Sequence, residues 1–203
     1  MDHDLVAEVR AAGVRLVAVT KGQPVGAALE AVAAGVVDLG ENYARDLLDK
    51  ARQVPGARWH YLGAVQRRKV RSLAPHVAVW QSVARAEEGE AIAGATPGAT
   101  VLVQVNVSGL PARNGCHWDE LDALVAALRT HDLDVQGLMC VATPGEERAQ
   151  FRRLAAAAAS LGLRELSMGM SGDWRVAVEE GATTVRLGSA LFGPRPDPLD
   201  LRR

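Results

Sequence analysis

A lysine, an arginine and two serine–glycine pairs give this chain its means for chemistry. Lys21 ends the apolar run Leu16-Val17-Ala18-Val19-Thr20 and is followed by Gly22 and Pro24. Of 23 cationic residues only three are lysines (Lys21, Lys50 and Lys69), so the other twenty are arginines. A guanidinium stays protonated, whereas a desolvated amine can lose its proton and attack a carbonyl. Lys50 and Lys69 fall in polar, helix-like stretches. Lys21 closes a buried strand pattern, where amine chemistry fits and so does an ordinary lysine snorkelling out of the strand end. Ser171-Gly172 and Gly188-Ser189 join hydroxyls to small residues that admit close backbone approach, as a phosphate cradle requires. Each pair alone also reads as a helix cap with a turn. Arg186 interrupts Val185-Arg186-Leu187-Gly188, and a charge there needs a partner, either a counter-ion or a ligand atom. His60, beside Trp59, has no triad or metal-ligand spacing around it and reads first as a hydrogen-bonded core histidine.

The elements that must position these residues alternate along the chain. Strand patterns cover Leu16–Thr20, Val36–Gly40, Trp59–Gly63, Val77–Ser82, Val101–Val107, Val135–Val141, Glu165–Met170 and Thr184–Gly188. Helical patterns lie between them, among them Val25–Ala34, Tyr43–Gln53, Trp118–Arg129, Glu146–Leu161 and the shorter Asp173–Glu180, which Gly181 stops. Strands alternating with helices mean parallel βαβ units, and near-continuous apolar strands mean both sheet faces are covered. Eight repeats of roughly 25 residues predict an α/β fold, a single (β/α)8 TIM-like barrel. An open doubly wound sheet is the alternative, weakened by the lack of Gly-x-Gly-x-x-Gly after a strand.

Barrel active sites lie at the C-terminal ends of the strands. There the unusual residues gather: Lys21, Glu41-Asn42, His60 to Gly63, Arg113-Asn114-Gly115, the Met168–Asp173 segment and Arg186–Ser189. The serine–glycine pairs follow strands seven and eight, where barrels often bind phosphate, and this juxtaposition favours the cradle over the caps. Met139, Met168 and Met170 read as packing residues. Arg67-Arg68-Lys69 with Arg71 reads as a solvated face.

Composition narrows the function class. A formal net charge of -1 gives no field to draw nucleic acid or an anionic membrane. The acidic N-terminus lacks the regions of a signal peptide, and no apolar stretch reaches membrane-spanning length. Cys116 and Cys140 lie far apart without metal-ligand spacing, so free thiols in a reducing compartment, and hence a cytoplasmic location, are expected. The tail Pro194-Arg195-Pro196-Asp197-Pro198 reads as a proline-punctuated terminus, and residues 1–203 as one domain.

Several motifs carry a resemblance. Val17-Ala18-Val19-Thr20-Lys21, Gly40-Glu41-Asn42-Tyr43 and Trp59-His60-Tyr61-Leu62-Gly63 with Gln66 and Lys69 are similar to segments of the pyridoxal phosphate homeostasis protein family. Gly137-Leu138-Met139, Leu166-Ser167-Met168-Gly169-Met170-Ser171-x-Asp173 and Val185-Arg186-x-Gly188-Ser189-x-x-Phe192-Gly193 complete the match, from about residue 14 to 194. The resemblance implies a fold-type III barrel like the N-terminal domain of alanine racemase, without its C-terminal β domain. It implies pyridoxal 5′-phosphate (PLP) as cofactor and Lys21 as the Schiff-base lysine. It also implies Ser171, Gly172, Gly188 and Ser189 on the phosphate, Arg186 beside the pyridine nitrogen, Asn42 and Met168 lining the ring, and His60 and Gly63 nearby. The sequence departs from the family pattern in a short helix before strand one, in Ala64-Val65 and Arg67-Arg68, and in Arg113 where lysine is common.

A racemase of this type needs two proton-transfer groups, one per face, and the only tyrosines, Tyr43 and Tyr61, belong to barrel segments. An arginine at the pyridine nitrogen disfavours its protonation and weakens the ring as an electron sink. The expectation is therefore a monomer that binds PLP reversibly, buffers it or delivers it to PLP-dependent apo-enzymes, and turns over little. A PLP-dependent racemase or lyase acting on amino acids, and an aldolase-like barrel acting on a phosphorylated sugar, are the alternatives.

Overall fold

The computed structural model describes residues 1–194. Chain order is α1 (His3–Ala11), β1 (Arg15–Val19), α2 (Val25–Ala33), β2 (Asp38–Glu41), α3 (Ala44–Ala51), β3 (Arg58–Tyr61), α4 (Arg67–Leu73), β4 (Val77–Val83) and α5 (Ala86–Ala95). It continues β5 (Thr100–Gln104), α6 (Leu121–Thr130), β6 (Asp134–Met139), α7 (Glu147–Ser160), β7 (Glu165–Ser167), α8 (Trp174–Glu179), β8 (Thr184–Leu187) and α9 (Ser189–Phe192). The strands form a closed parallel barrel in sequence order, and β1 closes on β8 through Leu16 opposite Val185 and Val17 opposite Arg186. The (β/α)8 expectation holds. Of the expected tail, the residues beyond Pro194 lie outside the described residues.

Side-chain alternation splits each strand between two environments. Leu16 and Ala18, Trp59 and Tyr61, Val101 and Val103, Leu166 and Met168, and Val185 and Leu187 belong to the large apolar cluster between barrel and helices. A small separate cluster of Val79, Leu102 and Met139 belongs to the opposite strand faces, inside the barrel. Beside this cluster the interior holds a polar row: His60, Gln81, Ser167 and Arg186 are all buried and hydrogen-bonded to one another in sequence. Aliphatic layers fill barrel interiors as a rule, so this polar fill requires an explanation.

Two strands, β7 and β5, end three residues earlier than the sequence pattern suggests. β7 stops at Ser167 rather than Met170. Gly169 has φ +92°, and a Cβ there would sit 2.6 Å from the Ala177 Cβ, so the chain turns sharply against α8 where only glycine fits. β5 stops at Gln104 rather than Val107 because the following loop folds back: Asn106 N–H donates to the Cys116 carbonyl (3.0 Å) and Cys116 N–H to that of Gln104 (2.9 Å). Among the described residues no helix is long and apolar enough to cross a membrane, and no cluster of His, Cys, Asp or Glu could hold a metal.

Candidate functional site

Lys21 stands on a turn that is held from three sides. Gln23 N–H donates to the Thr20 carbonyl at 2.9 Å, which closes a four-residue turn with Lys21 second and Gly22 (φ +69°) third. A positive φ at that third place is what a type II turn requires, hence glycine. The Thr20 N–H bonds to the Gly40 carbonyl of β2 (2.9 Å). The Thr20 carbonyl also accepts from Lys50 Nζ at 2.6 Å.

Lys50 corrects the expectation of a lysine in a polar stretch. It reaches inward from α3, its side chain 6% exposed, and pairs at 2.8 Å with Glu41, which is 0% exposed. Glu41 further accepts from Thr20 Oγ1 (3.2 Å) and from the Asn42 N–H (2.9 Å). One buried ion pair thus ties the turn carrying Lys21 to the start of the loop carrying Asn42.

Across the barrel mouth the two serines meet. Ser189 Oγ lies 3.3 Å from Ser171 Oγ, which accepts from the Ala190 N–H at 3.2 Å. Asp173 accepts from the Met170 N–H and pins the start of that loop. Arg186 forms the floor, fully buried. Its Nη1 donates to the Ser167 carbonyl (2.6 Å) and to Ser167 Oγ (2.8 Å), and its Nη2 to the Cys140 carbonyl (2.7 Å). Burial pulls its pKa below the ordinary arginine range.

These elements enclose a cavity of about 570 Å³. Seven expected residues line it: Lys21, Asn42, Ser171, Gly172, Arg186, Gly188 and Ser189. His60, Gly63 and Met168 do not, which corrects the expected placement of Met168 at the ring and leaves His60 and Gly63 behind the cavity wall. Met168 points outward into the helix layer, because strand alternation turns Ser167, not Met168, into the barrel. Met139 and Met170, read as packing residues, line the cavity instead. Gly63 lies behind Asn42: a methyl group there would overlap the Asn42 carbonyl. His60 lies beneath the floor, its Nε2 2.8 Å from Asp38 and its Nδ1 2.7 Å from Gln81.

Gln23, Gln104, Asn106, Arg113 and Asn114 complete the polar lining, and of these only Arg113 and Asn114 stand out in the sequence. Gln104 was findable, since it takes the inward phase of β5 two residues after Leu102 at the C-terminal end. Asn106 holds the overhanging loop through the Leu110 carbonyl (2.9 Å), a contact without local signal.

PLP fits this cavity on the chemistry of its walls. An amine, paired hydroxyls beside a glycine-rich turn and a buried guanidinium match an aldehyde, a phosphate and a ring nitrogen. A Cβ at Gly188 would come within 3.2 Å of the Val19 carbonyl, so this turn packs closely against β1.

The comparisons define a class first. A family described as alanine racemase, N-terminal domain, matches residues 3–196. The alanine racemase of Clostridium difficile 630 has the same fold, with TM-score 0.77 at 15% identity, covering 95% of this chain and 56% of that one. Much nearer in sequence are two pyridoxal phosphate homeostasis proteins. That of Pseudomonas aeruginosa is 40% identical over 91% of this chain and 86% of its own, and that of Deinococcus radiodurans 41% identical over 90% and 91%. PipY of Synechococcus elongatus PCC7942, solved without PLP (TM-score 0.87, 32% identity) and with PLP bound (0.84, 35%), covers 94% of this chain and 99% of its own. The chain belongs to the pyridoxal phosphate homeostasis protein family.

Proposed function

We propose that this protein binds pyridoxal 5′-phosphate reversibly through Lys21 and serves PLP homeostasis, with little or no catalytic turnover. When bound, the cofactor supplies an aldehyde open to capture by an amine and a pyridine ring able to act as an electron sink. Ser171, Gly172, Gly188 and Ser189 hold the phosphate, Arg186 faces the ring nitrogen, and Asn42 flanks the ring. Arg186 cannot accept a proton bond, so it favours an unprotonated pyridine and a weak sink.

The observation that carries the non-catalytic part is the make-up of the cavity wall. Among the described lining residues there is no Asp, Glu, His, Cys or Tyr, and Lys21 is the one group suited to moving a proton. Racemisation needs a second group on the opposite face. Tyr61 does not serve: it packs in the helix layer, 5.6 Å from the Trp80 ring, and burial with the nearby Glu41 raises its pKa. Tyr43 is exposed and does not line the cavity. The buried free thiols Cys116 and Cys140 suit a cytoplasmic protein. In this reading it acts as one domain and a monomer, and releases cofactor to apo-enzymes.

The test is a visible spectrum of the purified protein after PLP addition, followed by borohydride reduction and mass mapping. A yellow protein with the pyridoxyl group on Lys21, lost in Lys21→Ala, supports the reading. A colourless protein that takes up no PLP overturns it. Sustained racemisation of a pure amino-acid enantiomer, abolished by Lys21→Ala, overturns the non-catalytic part alone.

A further inference from the structure

We infer that Gln81 and His60, which do not line the cavity, are positioning residues for the cofactor ring, acting through a one-way hydrogen-bond chain that aims Arg186. The inference rests on the PLP-binding reading above. The chain crosses the barrel interior: Arg186 Nη1 to Ser167 Oγ (2.8 Å), Ser167 Oγ to Gln81 Oε1 (2.6 Å), Gln81 Nε2 to His60 Nδ1 (2.7 Å) and His60 Nε2 to Asp38 Oδ1 (2.8 Å).

Its direction follows from its ends. A guanidinium can only donate and an ionised carboxylate can only accept. Ser167 Oγ accepts from Arg186, so its single hydrogen goes to Gln81 Oε1. The Gln81 amide then presents its NH2 to His60 Nδ1, which must be the bare nitrogen. The ring hydrogen therefore sits on Nε2 and points at Asp38. The reversed amide fails at two places. Ser167 would accept from both neighbours and keep a buried O–H without an acceptor. His60 would have to carry a second proton in a site where burial already lowers its pKa more than Asp38 raises it. Every donor and acceptor along the row is satisfied in one arrangement only.

The consequence reaches the cavity floor. With its hydrogen committed to Gln81, Ser167 Oγ turns a lone pair to Arg186. Without Gln81 the hydroxyl is free to rotate its hydrogen toward the guanidinium, and one of the three fixed anchors is lost. Among the described residues no carboxylate pairs directly with Arg186, so its aim depends on neutral acceptors oriented by this row. That accounts for four polar side chains inside a barrel that aliphatic residues would fill as well.

Two measurements test this. In the PLP-free protein, 15N-histidine NMR should show His60 protonated at Nε2 and bare at Nδ1 from pH 6 to 8. In the PLP-loaded protein, Gln81→Leu and Ser167→Ala should weaken PLP affinity about tenfold, the loss of one hydrogen bond to a charged group. Both should shift the pH midpoint of the visible band, which a loss of core packing alone does not move. Ser167→Ala is near-isosteric and keeps the Ser167 carbonyl, so it reads the chain even if Gln81→Leu fails to fold. A proton on Nδ1 overturns the inference, as does Ser167→Ala with affinity and midpoint unchanged. A wild-type protein that takes up no PLP overturns the cofactor reading as well. The NMR result in that case tells whether the chain itself is as described.

Discussion

Replacing Lys50 by methionine isolates the buried ion pair that supports the Lys21 turn. The variant removes a cation whose side chain is 6% exposed and leaves Glu41, 0% exposed, without its counter-charge. Breaking a buried pair from one side costs about 3–5 kcal/mol, because the remaining charge stays desolvated. Glu41 keeps two donors, the Asn42 N–H at 2.9 Å and Thr20 Oγ1 at 3.2 Å, so the lower half of that range is expected, about 3–4 kcal/mol. For a domain of this size each kcal/mol moves Tm by about 2–4 °C, which predicts a fall of about 6–16 °C. Thermal and urea melts read this directly. The double variant Lys50→Met/Glu41→Leu removes both charges and should recover most of the loss. The same lysine holds the Thr20 carbonyl, so Lys50→Met should also slow capture of the PLP aldehyde by Lys21. A single-variant loss below about 1 kcal/mol, or a double variant as unstable as the two singles together, would refute a buried, mutually dependent pair.

Two further predictions use the buried titratable groups. Burial lowers the His60 pKa from its ordinary value near 6.5 by more than Asp38 raises it, so the unfolded chain takes up a proton there before the folded one does. The resulting stability is whole above about pH 6.5 and falls as pH drops below it. Asp38 is also lowered: burial works to raise it, but the His60 hydrogen bond and the charges of Arg58 and Arg15 outweigh that. Its contribution is lost only below about pH 4, with the same sign. Tm should therefore decline from pH 7 to 5, less steeply in His60→Gln, and a Tm that rises over this interval contradicts the assignment. Burial pushes the Cys116 and Cys140 thiols up to about 12, so a disulfide reagent at pH 8 should label neither in the native protein and both after denaturation. Rapid native labelling would show that one of them is exposed.

The fold was readable because most of the parallel strands, covered on both faces, are short apolar runs set between helical patterns. Errors fell where tertiary contacts decide. Met168 was assigned to the ring by resemblance, yet Ser167 already occupies the inward phase of β7, and Gly169 breaks the strand before the phase repeats. Lys50 falls in a polar, helix-like stretch of sequence, where nothing local marks it as buried. Only the approach of α3 to β2 shows that it faces Glu41. The interior polar row could not be read locally, since its links join residues 21, 86 and 19 positions apart. No window along the chain holds more than one of its members and a neighbour.

The scarcity of lysine now has a physical account at two positions rather than one. Lys21 needs an amine because a guanidinium cannot lose its proton and capture an aldehyde. Lys50 needs one for a different reason. Its Nζ sits 2.6 Å from the Thr20 carbonyl and 2.8 Å from Glu41 in a closed site, where a compact ammonium fits and a planar five-donor fork would leave N–H groups unsatisfied. Lys50→Arg should therefore destabilise although it conserves charge, whereas Lys69, half-buried on α4 beside the exposed Arg67 and Arg68, has no such constraint. The chain's preference for arginine stops where the chemistry or the size of the head group forbids it, and both such places lie within one turn of the same backbone.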